Sequence, residues 1–237
     1  RKQISTHILQ IANEYYAAAR PKQPVRNNEL PTLALAERGI AYLELRLTDI
    51  NPEDPCGISP AQLCVLETYL LYCILNPEGA QNHAARDENS HNRLRTACCG
   101  LSEGFTLKQT RHDRPIQDAA LELLAAMQPI AARLDAERGG SASSDALAAL
   151  TREVADKTHL PYRAQAGNSE GYLAYHLAWR DRHHAALHTP LPAAEEAALA
   201  AQAAASLRAQ ADIEARPQAD FETYLREHFA PLQRLLD

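Results

Sequence analysis

Apolar residues recur along this chain in two rhythms, and the change of rhythm divides it. Between Ile40 and Pro52 the residues Ile40-Ala41-Tyr42-Leu43-Glu44-Leu45-Arg46-Leu47-Thr48-Asp49-Ile50-Asn51-Pro52 alternate, the period of a half-buried strand. A strand there sends Leu43, Leu45 and Leu47 to one face and Tyr42, Glu44, Arg46 and Thr48 to the other. Upstream, Ile4, Ile8, Ile11 and Tyr15 follow helical spacing, which predicts a helix over 3–14. Arg20-Pro21-Lys22-Gln23-Pro24 then enforces extended chain and reads as a basic loop.

Beyond residue 58 the period becomes helical. Asn51-Pro52-Glu53-Asp54-Pro55-Cys56-Gly57 is a dense turn signal, and Ser59-Pro60-Ala61-Gln62 has the form of a capping box with proline in the first turn. A helix over 60–75 follows. Breaks at Asn76-Pro77-Glu78-Gly79, Gly100, Gly139-Gly140-Ser141 and Pro161 frame helices over about 81–98, 116–137, 144–157, 168–187, 193–215 and 219–235. Gly104-Phe105-Thr106-Leu107 is a loop or a short extended piece. The alanine-rich tract over 193–211 keeps Glu and Arg at helical intervals and so reads as helix, not linker. The expected class is α+β, predominantly helical, with short antiparallel strands near the N-terminus. Residues 1–58 form a sheet region and 59–237 a helical region of the same domain.

Composition narrows the function classes. Across 237 residues, 9 glycines and 3 phenylalanines argue against a sandwich or barrel, and a net charge of −6 argues against a general nucleic-acid binder. No apolar run near 18 residues and no secretory leader is visible, so a soluble cytoplasmic protein is expected, with no membrane partner. The helical spacing at the first residues suggests a chain that opens inside a domain, as a fragment would. Five cysteines (Cys56, Cys64, Cys73, Cys98, Cys99) without a C-x-x-C pair read as free thiols.

The candidate chemistry concentrates near the strand. Glu44 and Arg46, two apart on one face, stand roughly 6.6 Å apart along the chain, so one can hold a cation while the other grips the phosphate that cation bridges. Arg20, Lys22 and Arg26 concentrate positive charge upstream, and a chain reversal would bring them to the same pocket. Tyr16 offers a phenol for a substrate amine or carboxylate. Taken by themselves, these residues favour a solvated strand face with a cross-strand ion pair, beside a solvated basic loop. No phosphate-binding glycine loop of the G-x-x-x-x-G-K-[ST] or G-x-G-x-x-G type occurs. His176, His183, His184 and His188 lack the glutamate of an H-E-x-x-H zinc site and read as surface histidines. Cys98-Cys99 read as buried small hydrophobes, not nucleophiles.

In order and spacing, three segments together resemble one family: Ile8-Leu9-Gln10-Ile11-Ala12-Asn13-Glu14-Tyr15-Tyr16-Ala17-Ala18-Ala19-Arg20-Pro21-Lys22-Gln23, Arg38-Gly39-Ile40-Ala41-Tyr42-Leu43-Glu44-Leu45-Arg46 and Asp49-Ile50-Asn51-Pro52. The family is the proteobacterial-type glutamate–cysteine ligase, also called γ-glutamylcysteine synthetase. The resemblance is specific over 8–58 and continues more weakly through Ser206-Leu207-Arg208, Asp212 to Glu214 and Phe221-Glu222-Thr223-Tyr224-Leu225. It implies the C-terminal half of such an enzyme, a glutamine synthetase-like fold, and ATP with Mg2+ (or Mn2+) as cofactors. L-glutamate and L-cysteine are the implied substrates and a γ-glutamyl phosphate the intermediate, in the first step of glutathione biosynthesis. Carried over by position, Glu44 is a magnesium ligand, Arg46 a phosphate contact and Tyr16 part of the amino-acid pocket. Arg20 and Lys22 are nucleotide-side contacts.

The chain departs from the family at Ile11-Ala12-Asn13-Glu14, where Ile-Glu-Asn-Glu is usual, and at Gly100-Leu101-Ser102, where Gly-Arg and a proline are frequent. The family's remaining acidic metal ligands, a histidine and further substrate arginines belong to its N-terminal half, the partner this segment would need. Alone, the segment is expected to be catalytically silent. The competing expectation is a helical interaction or regulatory module without catalysis.

Overall fold

The computed structural model describes residues 8–9, 16–26, 29–77, 79, 81–109, 112–156, 165, 167–217 and 219–231. Their elements, in chain order, are β1 (Ala19–Lys22), α1 (Pro31–Arg38), β2 (Tyr42–Leu45), α2 (Pro60–Leu75), α3 (His83–Cys99), β3 (Thr106–Leu107), β4 (Arg114–Pro115), α4 (Ile116–Arg138), α5 (Ala142–Ala155), α6 (Tyr172–Leu187), α7 (Ala193–Glu214) and α8 (Phe221–Phe229). The described chain is predominantly helical, with short antiparallel strands toward its N-terminus, as the sequence pattern implied. It divides into two compact units, Arg1–Asp49 with Pro190–Asp237, and Ile50–Thr189.

In the first unit β1 and β2 form an antiparallel ribbon in which Arg20 faces Glu44, Pro21 faces Leu43 and Lys22 faces Tyr42. The Arg46 N–H donates to Ala18 O at 2.9 Å. Because hydrogen-bonded and non-bonded pairs alternate along an antiparallel ladder, this bond places Pro21 at a non-bonded position, where its missing N–H costs the ribbon nothing. Arg20, Pro21 and Lys22 are therefore strand, while residues 23–26 remain irregular as a loop would. The helix α1 links the two strands; it begins with proline in its first turn and stops at Gly39, whose φ of 72° is a left-handed value that favours glycine.

Two expectations for this unit change. The strand is shorter than the alternation suggested, and its leucine face is not sealed, since Leu43 is 47% and Leu47 63% exposed. Alternation sets the faces, but burial needs a layer to pack on. Of the helix predicted over 3–14, residues 8 and 9 are irregular and exposed, and the rest lies outside the described residues. An amphipathic stripe holds a helix mainly through tertiary packing of its apolar face, and Ile8 has none. In α8 the helix starts where predicted, capped by Asp220 Oδ1 accepting from the Thr223 N–H at 3.0 Å. Residues 232–235 of its predicted extent lie outside the described residues.

The second unit is organised by apolar burial. The helices α4 and α5 pack on each other and on α2. Leu124, Met127, Ala131 and Leu147 form the buried cluster, with Val65, Tyr72, Leu123, Leu150 and Val154 packed around it. Local signals fix the ends of these helices. Ser59 and Gln62 form the predicted capping box, with Ser59 Oγ accepting from the Gln62 N–H at 3.2 Å and Gln62 Oε1 from the Ser59 N–H at 2.8 Å. Between α4 and α5, Gly139 (φ 73°) and Gly140 (φ 137°) make a turn closed to most side chains. Across it the buried Asp135 accepts from the N–H groups of Ser143 at 2.8 Å and Ser144 at 2.9 Å, capping α5 from outside its own helix. Arg138 adds a two-point ion pair to Glu67 of α2 at 2.6 and 2.7 Å.

Candidate functional site

The β1–β2 register gathers the charged residues singled out in the sequence. In an antiparallel pair, side chains of facing residues project to the same side, so Arg20, Lys22, Tyr42, Glu44 and Arg46 share one face of the ribbon. Glu44 is its centre. Lys22 Nζ stands 3.2 Å from Glu44 Oε2, and Arg46 Nη2 donates to Glu44 Oε1 at 3.2 Å. The Arg46 guanidinium in turn lies 5.4 Å from the centroid of the exposed Tyr16 ring, within cation–π reach. Tyr16, Arg46, Glu44 and Lys22 thus form one continuous set of contacts, with Arg20 beside Glu44 on the neighbouring strand. Among the described contacts two cations, Lys22 and Arg46, meet one carboxylate, in a chain whose overall charge is −6.

The electrostatics follow from that arrangement. The Arg46 hydrogen bond, with the Lys22 contact second, holds the Glu44 carboxyl below its ordinary range and keeps it ionised. Its two oxygens differ: Oε1 has the Arg46 donor, while Oε2 is shielded from solvent and its contact with Lys22 is ionic, without an aligned hydrogen bond. A shielded carboxylate oxygen with lone pairs to spare suits a hard divalent cation. The fit is nevertheless to one ligand of a site. Among the described residues no group of three or more His, Cys, Asp or Glu side chains could hold a metal ion, and a single carboxylate oxygen cannot complete the coordination of magnesium.

A second cluster, not anticipated from sequence, holds the ribbon in register. Arg38 at the end of α1 grips Glu29 with both nitrogens, at 2.5 and 2.6 Å, and donates to Pro24 O at 3.0 Å. Glu29 also accepts from the Arg26 N–H at 2.8 Å, and Gln23 Nε2 donates to Arg38 O at 3.2 Å and Gly39 O at 3.0 Å. These contacts close the segment between β1 and β2 on itself. The bidentate Arg38 bond, with the Arg26 N–H second, lowers the Glu29 carboxyl to about 2. Arg26 therefore contributes a backbone donor to this clamp. The readable signal was the proline after Leu30 and the Arg38-Gly39 stop, which together mark a short helix.

The remaining candidates fall elsewhere. On α6, His183 Nε2 donates to Pro52 O at 2.8 Å and its ring stacks on Trp179. His184 and His188 stack with ring centroids 4.0 Å apart, and His176 lies 4.2 Å from the Tyr172 ring. These histidines pack and cap their helix. All five cysteines are free, and Cys98 and Cys99 are exposed, which corrects their reading as buried small hydrophobes: they end α3, a helix without a buried residue.

The chain is similar to known proteins over most of its length. Residues 1–96 match the glutamate–cysteine ligase family model. The chain is 36% identical over 200 residues to the glutamate–cysteine ligase of Pseudomonas fluorescens, covering 83% of this chain and 38% of that protein. It is 39% identical over 154 residues to that of a Janthinobacterium species, covering 65% and 29%. A crystal structure of the Francisella tularensis glutamate–cysteine ligase in complex with AMP superposes with a TM-score of 0.86 at 28% identity, over 98% of this chain and 47% of that one. The chain belongs to the glutamate–cysteine ligase family, and it spans well under half the length of the curated relatives it matches. Among the described residues no helix is long and apolar enough to cross a membrane.

Proposed function

We propose that this chain is the C-terminal part of an ATP-dependent carboxylate–amine ligase that joins L-glutamate to L-cysteine, opening glutathione biosynthesis in the cytoplasm. The observation that carries this reading is the ribbon face on which Lys22 and Arg46 both contact the ionised Glu44 while Arg46 rests on Tyr16. Its support is the family's ligase members and the AMP bound to the Francisella tularensis enzyme. In the reaction a γ-carboxylate oxygen of glutamate attacks the γ-phosphorus of ATP and ADP leaves. The cysteine amine then attacks the acyl carbon, the C–O bond to phosphate breaks, and the amine loses a proton. Phosphorylation turns a poor leaving group into a good one.

The residues of this chain divide that work. Arg46, held between Tyr16 and Glu44, stabilises charge on the transferring phosphoryl group, and Lys22 and Arg20 neutralise the nucleotide phosphates. Tyr16 lines the amino-acid pocket. Glu44 would supply one carboxylate to a magnesium ion, or to manganese in its place, and the bound ion would offset phosphate charge. The other ligands come from the N-terminal half, within a sheet of the glutamine synthetase type, and the segment by itself is catalytically silent.

The test is phosphate release by the complete enzyme with ATP and glutamate. Release that depends on cysteine, vanishes when the N-terminal half is withheld, and is lost on Arg46→Ala is expected. Release indifferent to any amine overturns the assignment.

A further inference from the structure

The two edges of the β1–β2 ribbon are not alike. In an antiparallel ladder a residue whose N–H and C=O do not bond the neighbouring strand turns them to the opposite side. The bond from the Arg46 N–H to Ala18 O fixes that alternation here: Ala19 and Pro21 turn outward from β1, and Leu43 and Leu45 turn outward from β2. At the β1 edge Pro21 has no N–H to offer, and α1 packs against that strand. Proline and a covering helix are two of the devices by which a sheet edge is closed. The β2 edge has neither. Leu43 and Leu45 present two N–H and two C=O groups there, and among the described residues the sheet ends with this strand. On the side away from Glu44, Leu43 is 47% and Leu47 63% exposed, so the open edge borders an apolar face. A two-stranded ribbon is marginal by itself and gains stability from a third strand or a layer on such a face.

We infer that the outer edge of β2, and not that of β1, receives a further β-strand, supplied by the part of the enzyme that lies outside this chain. This rests on the reading of the chain as the C-terminal part of a longer enzyme. More than half the length of the Pseudomonas fluorescens and Francisella tularensis relatives lies outside the match, which leaves ample chain to provide the strand. Its chemistry is set by the pleat. Main-chain bonds at Leu43 and Leu45 give affinity whatever the sequence, and the two faces give selection. Alternate side chains are apolar where they continue the Leu43–Leu47 face, and polar where they stand beside Tyr42 and Glu44, about 4.5–5.5 Å away. A helix satisfies its own backbone and cannot serve the four outward groups of β2. A strand seated on this edge widens the charged face at a fixed register, and so brings groups that this chain lacks beside Glu44.

Residue-resolved hydrogen exchange of the complete enzyme tests the pairing. The Leu43 and Leu45 amides should exchange at least about a hundredfold more slowly than the Ala19 amide, as groups paired within a sheet do against groups at an open edge. That difference should not change with protein concentration. Leu43→Pro removes one outward N–H and none of the β1–β2 bonds, and should lose phosphate release and leave Leu45 exchanging fast. Ala19→Pro, the same removal at the other edge, should do neither. Leu43 and Leu45 amides that exchange as fast as Ala19 in the unmodified enzyme overturn the pairing. So does protection that rises with concentration, which assigns the edge to a second copy. The exchange readout does not depend on turnover, so the two readings fail separately. If Leu43 and Leu45 are protected in an enzyme whose phosphate release ignores cysteine, the ligase assignment fails and the edge pairing stands. If release needs cysteine while these amides exchange fast, only the edge pairing fails.

Discussion

The β1–β2 ribbon and the α2–α4–α5 assembly use the same chain for opposite purposes. The helical assembly is closed around Leu124, Met127, Ala131 and Leu147, and its charged contacts, such as Arg138 with Glu67, staple helices that already pack. The ribbon has little apolar burial, its nearest core residues being Leu30 and Ala34, and it is ordered by Glu29–Arg38 on one side and Lys22–Glu44–Arg46 on the other. Charges left near a surface are worth little to stability. They are worth much more to a substrate carrying phosphate, because a pre-arranged positive face need not reorganise when the anion arrives. On the proposed reading, chemistry is placed where the core is thin, and stability where it is thick.

That contrast breaks if changes in one region behave like changes in the other. The largest effect should come from Glu44→Gln in the complete enzyme: a loss of at least about a hundredfold in kcat/KM, the scale of one charged group withdrawn from a transition state, with an unaltered circular dichroism spectrum. Retained turnover would move the catalytic centre off the ribbon. Leu147→Ala should do the reverse. It removes a fully buried side chain and should destabilise the helical unit by about 2–5 kcal/mol, read in urea from the fluorescence of Trp179, while metal and nucleotide affinities of the folded protein stay as they were.

A smaller effect is expected from Glu29→Gln, and it depends on pH. The folded carboxyl lies near 2 against an ordinary 4.5, so between those values the folded chain binds fewer protons than the unfolded one. The stabilisation by Glu29 is therefore full above pH 4.5 and is lost as pH falls toward 2. The substitution should weaken amide protection along β1 and β2 at neutral pH and flatten its loss on acidification. An unchanged acid profile would mean that the clamp does not hold the ribbon. Smallest is Ser59→Ala, which opens the capping box of α2 at a cost of about 1 kcal/mol, measurable as a shift of the Trp179 transition and silent toward nucleotide.

The two regions also differ in how far they could be read. The helices over 60–75 and 116–137 were legible to within a residue, because Ser59, Pro60, Gln62 and Gly139 act on backbone groups three or four positions away. The start of α6 came later than expected, since Asn168 Oδ1 accepts from the Glu170 N–H at 2.9 Å and diverts the chain into a turn before Gly171. In the candidate site, residue types and their faces on β2 were visible, and the family resemblance supplied roles. The helix α1, the strand character of the Arg20-Pro21-Lys22 segment and the Glu29–Arg38 clamp were not. Their partners lie across a chain reversal, and two prolines in the basic segment resemble a loop until a strand pairs with it.

By itself, then, the sequence determined the helical elements, their caps and the identity of the charged groups, because those depend on hydrogen bonds and periodicities spanning only a few residues. Only the tertiary structure decided that Arg20 faces Glu44, that Lys22 and Arg46 take different oxygens of one carboxylate, and that Tyr16 backs Arg46. Pairing of distant strands is fixed by which register satisfies the ladder and the clamp together, and no local pattern contains that information.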